Sequence, residues 1–201
     1  MAESAGGADR GERRRTSRSG PDAAISFAAC RDSSLGELVD FLTGNGWPFH
    51  AEASLDAESV RRRAAEGAFD TDEDRECWWV LDGAERVGLL VVFDLGDPTP
   101  LFDLRVAERH RGRGVGTHAV RWLTARVFTA GAGRTRIEAT TRADNAAMRT
   151  VLRRCGYVKE AHYRQAWPGP DGTCDAVGYA ILRADWETGS ATPVGWDDEL
   201  P

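Results

Sequence analysis

No stretch of this chain approaches the roughly 18 consecutive apolar residues that a membrane span requires, so no membrane partner is expected. Residues 1–21 also lack an apolar core; rich in Gly, Ser and Arg, they do not read as a secretory signal. Cysteine is sparse. Cys30, Cys77, Cys155 and Cys174 show no CxxC spacing and lie in apolar segments, which points to reduced thiols in a cytoplasmic protein with no metal site. Positive charge is in deficit: the formal net charge of −6 argues against nucleic acid as the main partner and favours attraction of cationic amines. No internal repeat is visible.

What remains is one domain between two arms. A chain of 201 residues, 41% hydrophobic and 29% charged, is long enough to bury a single full core. Residues 1–22 read as a disordered arm, with Arg13, Arg14 and Arg15 set among Gly and Ser. A folded domain is expected over 23–186, then a tail over 187–201 with Trp196 and the acidic run Asp197, Asp198 and Glu199. Within the domain, strand patterns cover 24–30, 77–81, 87–93, 101–106, 136–140, 158–167 and 176–182. Leu35, Leu38, Val39 and Leu42 at helical spacing predict a helix that stops at Gly44; further helices are predicted from Asp56 to about 66, over 114–129 and over 145–154. Asp82-Gly83 reads as a hairpin turn, and so does the run from Pro168 through Pro170 and Asp171 to Gly172. Consecutive strands interrupted by four helices give an α+β or mixed-sheet domain.

The most specific local feature follows the strand 101–106. After a short linker the chain reads Arg111-Gly112-Arg113-Gly114-Val115-Gly116-Thr117 and runs into an apolar helix with Val120, Leu123 and Val127. Glycines let the backbone turn tightly and approach a ligand without a Cβ in the way. The first amides of a helix have no partners inside it, and the helix dipole adds positive potential there. A pyrophosphate is the natural guest, with Arg111 and Arg113 supplying charge. A Rossmann fingerprint fits poorly, because the next strand ends in Thr140 and Thr141 rather than an acidic residue. A P-loop fits poorly too, because Gly114-Val115-Gly116 stands where Gly-Lys-Ser/Thr is required.

These residues resemble the GNAT superfamily of acetyl-CoA-dependent N-acetyltransferases over roughly 24–186. Arg111, Gly114 and Gly116 match its Gln/Arg-x-x-Gly-x-Gly/Ala motif. Thr140-Thr141-Arg142-Ala143-Asp144-Asn145, followed by Cys155-Gly156-Tyr157, resembles the segment in which an Asn opens the fourth helix and a Gly-Phe/Tyr pair closes it. The ending from Tyr179 to Trp186 is similar to the last strand of the branch that acetylates ribosomal-protein N-termini and assorted small amines, aminoglycosides among them. The resemblance implies a mixed, mostly antiparallel sheet of about seven strands, splayed at its centre and flanked by four helices. It implies acetyl-CoA as acyl donor. The backbone of Leu104, Arg105 and Val106 would hold the pantetheine, that of Arg111, Gly112, Arg113, Gly114, Val115 and Gly116, with Thr117, the pyrophosphate, and Asn145 would reach the pantetheine near the thioester. Asn145 also reads as an N-terminal helix residue beside Asp144, a capping candidate. A homodimer is compatible with this reading.

The catalytic groups are less evident. The family's proton-donating Tyr falls at Leu152, and the Ser of the ribosomal branch at Met148, which leaves as donor a water or a Tyr from elsewhere such as Tyr157 or Tyr163. Asp103 is the only carboxylate within the central strand, and alternation puts it on one face with Arg105, as a base or as that arginine's partner. His50, in the loop between the first two helices, is a second candidate base, and His162 a third; His110 and His118, flanking the glycine turn, read as structural. Trp47, Phe49, His50, Tyr163 and Trp167 are the expected acceptor wall, able to cover an ammonium. Asp70, Asp72, Glu73, Asp74 and Glu76 form either a solvated loop or an acidic rim for a polycationic, aminoglycoside-like acceptor. A peptide N-terminus is the competing acceptor. A non-catalytic acyl-CoA-binding module is a reading of another class, and a nucleic-acid protein using the arginine arm is a third.

Overall fold

The computed structural model describes residues 25–169 and 172–196. The expected arginine-rich arm, Pro170 and Asp171 of the last hairpin turn, and the acidic end of the tail lie outside the described residues. The strands are β1 (Ile25–Ala29), β2 (Glu76–Asp82), β3 (Glu85–Phe93), β4 (Leu101–Val106), β5 (Arg136–Arg142), β6 (Val158–Gly169) and β7 (Gly172–Leu182). The helices are α1 (Leu35–Thr43), α2 (Ala57–Ala65), α3 (Val115–Ala130), α4 (Ala146–Arg154) and α5 (Arg183–Thr188). No helix among the described residues is long and apolar enough to cross a membrane.

One seven-stranded sheet runs in the order β1-β2-β3-β4-β5-β7-β6, antiparallel except between β4 and β5. Those two strands pair in parallel at Leu101↔Glu138 only. Beyond Leu101 they diverge, so the edge of β4 toward β5 is open over 103–106. This is the expected splay, and it positions everything that follows.

Alternation along the central strands divides the core in two. Val87, Leu90 and Val92 of β3 pack with Val120, Leu123 and Val127 of α3, all 1% exposed or less. Leu89 and Val91, facing the other way, pack with Leu38 and Leu42 of α1 and Val60 of α2. A strand apolar on both faces belongs at the centre of a covered sheet, and β3 lies there. Ser34 and Glu37 close a capping box on α1, and Asp56 caps α2 through Ser59 N at 2.8 Å. All four cysteines are free, with Cys30 and Cys77 buried; their mutual hydrogen bond and burial push the Cys30 thiol well above its ordinary range.

One element at the C-terminal end was not expected. The last strand ends at Leu182 as predicted, and a fifth, six-residue helix follows it. Its cause is tertiary. Arg183 donates to Arg134 O at 2.7 Å and Phe128 O at 2.8 Å, carbonyls at and beyond the end of α3. Asp185 accepts from Thr192 N at 2.8 Å, which folds residues of the tail back onto the domain.

Candidate active site

The splay opens a groove of about 530 Å³ between β4, the start of α3 and α4. Leu104 and Val106 form one wall, Asn145, Met148 and Val151 the other, Gly114, Gly116 and Thr117 one end, and Trp47 to His50 the roof. The even-numbered face of β4 thus belongs to this groove. The odd-numbered face, with Asp103 and Arg105, opens instead into a second cavity of about 260 Å³ beneath α1 and α2. Of the expected cofactor residues, Arg105 therefore offers the groove its backbone and turns its side chain away.

The glycine turn has the geometry a phosphate needs. Gly112 and Gly114 have φ of +74° and +87°, the left-handed region that a side chain disfavours. Gly114 is the N-cap of α3, and the first bond within that helix runs from His118 N to Gly114 O at 3.1 Å. The amides of Val115, Gly116 and Thr117 are consequently without acceptors inside the helix. A Cβ at Gly116 would touch Val151 Cγ2 at 3.5 Å, so the turn also sits close against α4. The residues fit a CoA pyrophosphate with pantetheine lying along the open β4 edge, where an extended chain adds as a strand would.

Arg111 does something else as well. Its Nε donates to Val106 O at 3.0 Å, an Nη donates to Gly46 O, and the guanidinium lies 5.7 Å from the Trp47 ring. On the opposite lip, Arg142 donates to Pro48 O at 3.0 Å and covers the Phe49 ring at 5.5 Å. The loop between α1 and α2 is therefore gripped by an arginine on each side of the splay. Asp144, the expected cap, pairs with Arg142, which holds its carboxyl below the usual range. Asn145 is itself the cap of α4: its Oδ1 accepts from Met148 N at 3.1 Å and its Nδ2 donates to Thr141 Oγ1 at 3.0 Å. Arg113 is exposed and free of partners among the described residues.

His50, on that loop, meets Asp103 at 3.0 Å between Nε2 and Oδ1. Asp103 Oδ2 accepts from Arg105 Nε at 3.1 Å, as alternation along β4 suggested. Burial raises the Asp103 carboxyl, but the hydrogen bond from His50 and the Arg105 charge outweigh it and hold it down to about 2. Asp103 is thus a firm anion and a poor proton acceptor. His50 Nδ1 is shielded from solvent and has no partner among the described residues. With the proton on Nε2, facing the carboxylate, Nδ1 is the ring's acceptor.

Other sequence candidates lie elsewhere. Tyr163 is 47% exposed on β6 and lies across Gly178, and neither it nor Trp167 lines the groove or the Asp103 cavity. A bulge between them and a left-handed Gln165 turn this hairpin away from the register that a regular strand predicts. His162 is bonded to Asp175 at 2.7 Å on the same exposed hairpin. His110 is buried against Glu85 at 3.1 Å. Trp47 is 1% exposed and its Nε1 donates to Leu42 O at 2.8 Å, so it serves the core and the groove roof together. Tyr157 is buried on Thr124 Oγ1 at 3.0 Å, and burial pushes its hydroxyl above the ordinary range. Tyr157→Phe is expected to cost about 1 kcal/mol of stability in urea unfolding and leave kcat unchanged. A collapse of kcat at intact stability would return Tyr157 to the proton path.

A splayed strand leading to a left-handed glycine turn at a helix N-terminus, beside an open groove, defines an acetyltransferase that draws on acetyl-CoA. The chain belongs to the Acetyltransferase (GNAT) family, whose model matches residues 23–157. No curated protein matches the chain in sequence. Among solved structures it is similar to Mycobacterium smegmatis RimJ in complex with CoA-disulfide, at TM-score 0.65 and 20% identity over 82% of this chain and 85% of that one. It is also similar to spermidine N-acetyltransferase from Vibrio cholerae with CoA and spermine, at TM-score 0.68 and 15% identity over 81% of this chain and 98% of that one. A third is RimL, a ribosomal α-N-protein acetyltransferase in complex with CoA, at TM-score 0.65 and 16% identity over 79% and 93%. At these identities the likeness is one of fold.

Proposed function

We propose that the chain transfers an acetyl group from acetyl-CoA to a primary amine, with His50 as the base. The observation that carries this reading is the His50–Asp103 pair, a bonded imidazole and carboxylate joining the groove to the second cavity. Acetyl-CoA supplies a thioester whose carbonyl carbon accepts the amine. The chain's residues do the rest. Asp103 fixes the ring tautomer, and His50 Nδ1 takes one proton from the incoming ammonium. As the new C–N bond forms and the C–S bond breaks, a second proton passes from nitrogen to the departing sulfur. None of the chain's three tyrosines lines the groove, and Leu152, where the family places its donor, is fully buried. Sulfur is therefore protonated without a tyrosine.

A small acceptor is favoured over a protein N-terminus because the cavity beside Asp103 is near the lower end, roughly 300 Å³, of small-molecule sites. A polycationic acceptor loses its main support. Asp72 is spent on the amides of Asp74 and Arg75, Asp74 on that of Gly96, and Glu76 on Arg126, so these three carboxylates are engaged within the fold. Acetyl-CoA supply places the protein in the cytoplasm. Thiol release from acetyl-CoA with a panel of amines tests the reading; binding of acetyl-CoA without turnover on any of them would leave an acyl-CoA-binding module instead.

The pH dependence follows from the pair. Asp103, at about 2, stays ionised throughout any assay range, so it contributes no acid limb. An acid limb in kcat/KM would therefore report the base, and His50→Gln is expected to remove it. An unchanged limb in the variant would assign the proton to another group.

A further inference from the structure

The second cavity contains a cation that the mechanism above does not use. Arg105 is 9% exposed, its Nε is taken by Asp103, and its Nη1 is buried without a hydrogen-bond partner among the described residues. Its guanidinium rests 5.3 Å from the centre of the Trp47 ring. Buried guanidinium donors are ordinarily satisfied, and a planar fork with a free N–H is the form that receives a carboxylate. Two more arginines, Arg63 and Arg75, line the same space. Arg75 spends Nη1 on Gly67 O at 2.9 Å, and Arg63 pairs with Glu52, which is outside the lining. Against these three cations the lining holds one anion, Asp103, already shared between Arg105 and His50. The remaining walls are apolar: Leu42, Leu55, Phe69, Val91 and Phe93.

We propose that this cavity is a carboxylate-binding acceptor subsite, so that the amine acetylated is that of a small amino acid with an apolar side chain. One carboxylate, Asp103, holds His50 on one oxygen and Arg105 on the other. A ligand whose carboxylate meets Arg105 therefore has its amino group, one carbon away, near Asp103, where an ammonium is attracted. The apolar walls take the side chain, and three arginines against one carboxylate disfavour a polyamine. The identity of the amine rests on the acetyltransferase reading; the anion site rests on Arg105 and its neighbours alone.

The test uses the full chain saturated with acetyl-CoA and three matched amines: leucine, leucinamide and isoamylamine. Leucine is expected to show a kcat/KM at least roughly tenfold above the other two. Arg105→Lys, which keeps charge but loses the fork, and Arg75→Gln, which lies outside the Asp103 pair, are each expected to bring that ratio toward one. In parallel, N-acetylleucine and N-acetylleucinamide are titrated into the protein saturated with CoA, and the carboxylate form is expected to bind more tightly. Equal turnover of the three amines, or a leucine preference intact in both variants, overturns the subsite while the acetyltransferase stands. No turnover of any amine, with arginine-dependent binding of N-acetylleucine, upholds the subsite and removes the acetyltransferase reading. Equal binding of the two acetylated ligands with no turnover overturns both.

Discussion

Gly114→Glu is expected to abolish acetyl-CoA binding, raising the dissociation constant by roughly 100-fold or more. Two effects add. At φ +87° any side chain costs about 1–2 kcal/mol relative to glycine. A carboxylate placed among the free amides of α3 then faces the pyrophosphate, and like-charge juxtaposition costs several kcal/mol. Together these exceed the ~2.8 kcal/mol that corresponds to 100-fold. No heavy atom lies within 4 Å of a Cβ built at this position, so the substitution disturbs the site rather than the core. Titration calorimetry with acetyl-CoA, alongside a thermal melt, reads both. Gly114→Ala isolates the strain and is expected to weaken binding by roughly tenfold. Wild-type affinity in the Glu variant would remove the turn from the phosphate site.

The second large effect is expected at His50. His50→Gln should lower kcat by roughly 100-fold or more, the range that a positioned base contributes, with the KM for acetyl-CoA little changed. Gln keeps an N–H for Asp103, so the loop and the Asp103–Arg105 pair are preserved. Asp103→Asn is expected to act in the same direction, since it loosens the tautomer that presents Nδ1. Stopped-flow measurement of thiol release separates the chemical step from product release. A kcat within about twofold of wild type in His50→Gln would transfer the proton abstraction to solvent.

Much of this site was legible along the chain because it is written in local backbone. The order strand, glycine turn, apolar helix is contiguous over 101–129, and no distant residue is needed to see that amides at Val115 to Thr117 are free. Asn145 was legible for the same reason, although the sequence offers Asp144 as an equally good cap and only the pairing with Arg142 decides between them. The splay was implied by resemblance, not by pattern. Asp103 and His50 each stood out as candidates, yet their bond spans 53 positions and no periodicity encodes it. Arg63 and Arg75, on and after α2, carry no local signal that singles them out; the fold brings them to the cavity that Arg105 lines. Tyr163 and Trp167 were expected in the acceptor wall as aromatics of the sixth strand, and a bulge and a left-handed Gln165 interrupt that strand between them. The helix α5 depends on Arg183 reaching carbonyls about 50 positions away, beyond any local signal.

The arginine that opens the glycine motif has a consequence for kinetics. Arg111 is bonded to Gly46 O and Val106 O, so the glycine turn and the loop that carries His50 share one side chain. Donor binding that drew Arg111 toward a phosphate would release the loop and so link donor and acceptor affinities. Arg111→Gln, by cutting that tie, is expected to make the KM for each substrate independent of the concentration of the other, which initial-rate measurements over a grid of both would reveal.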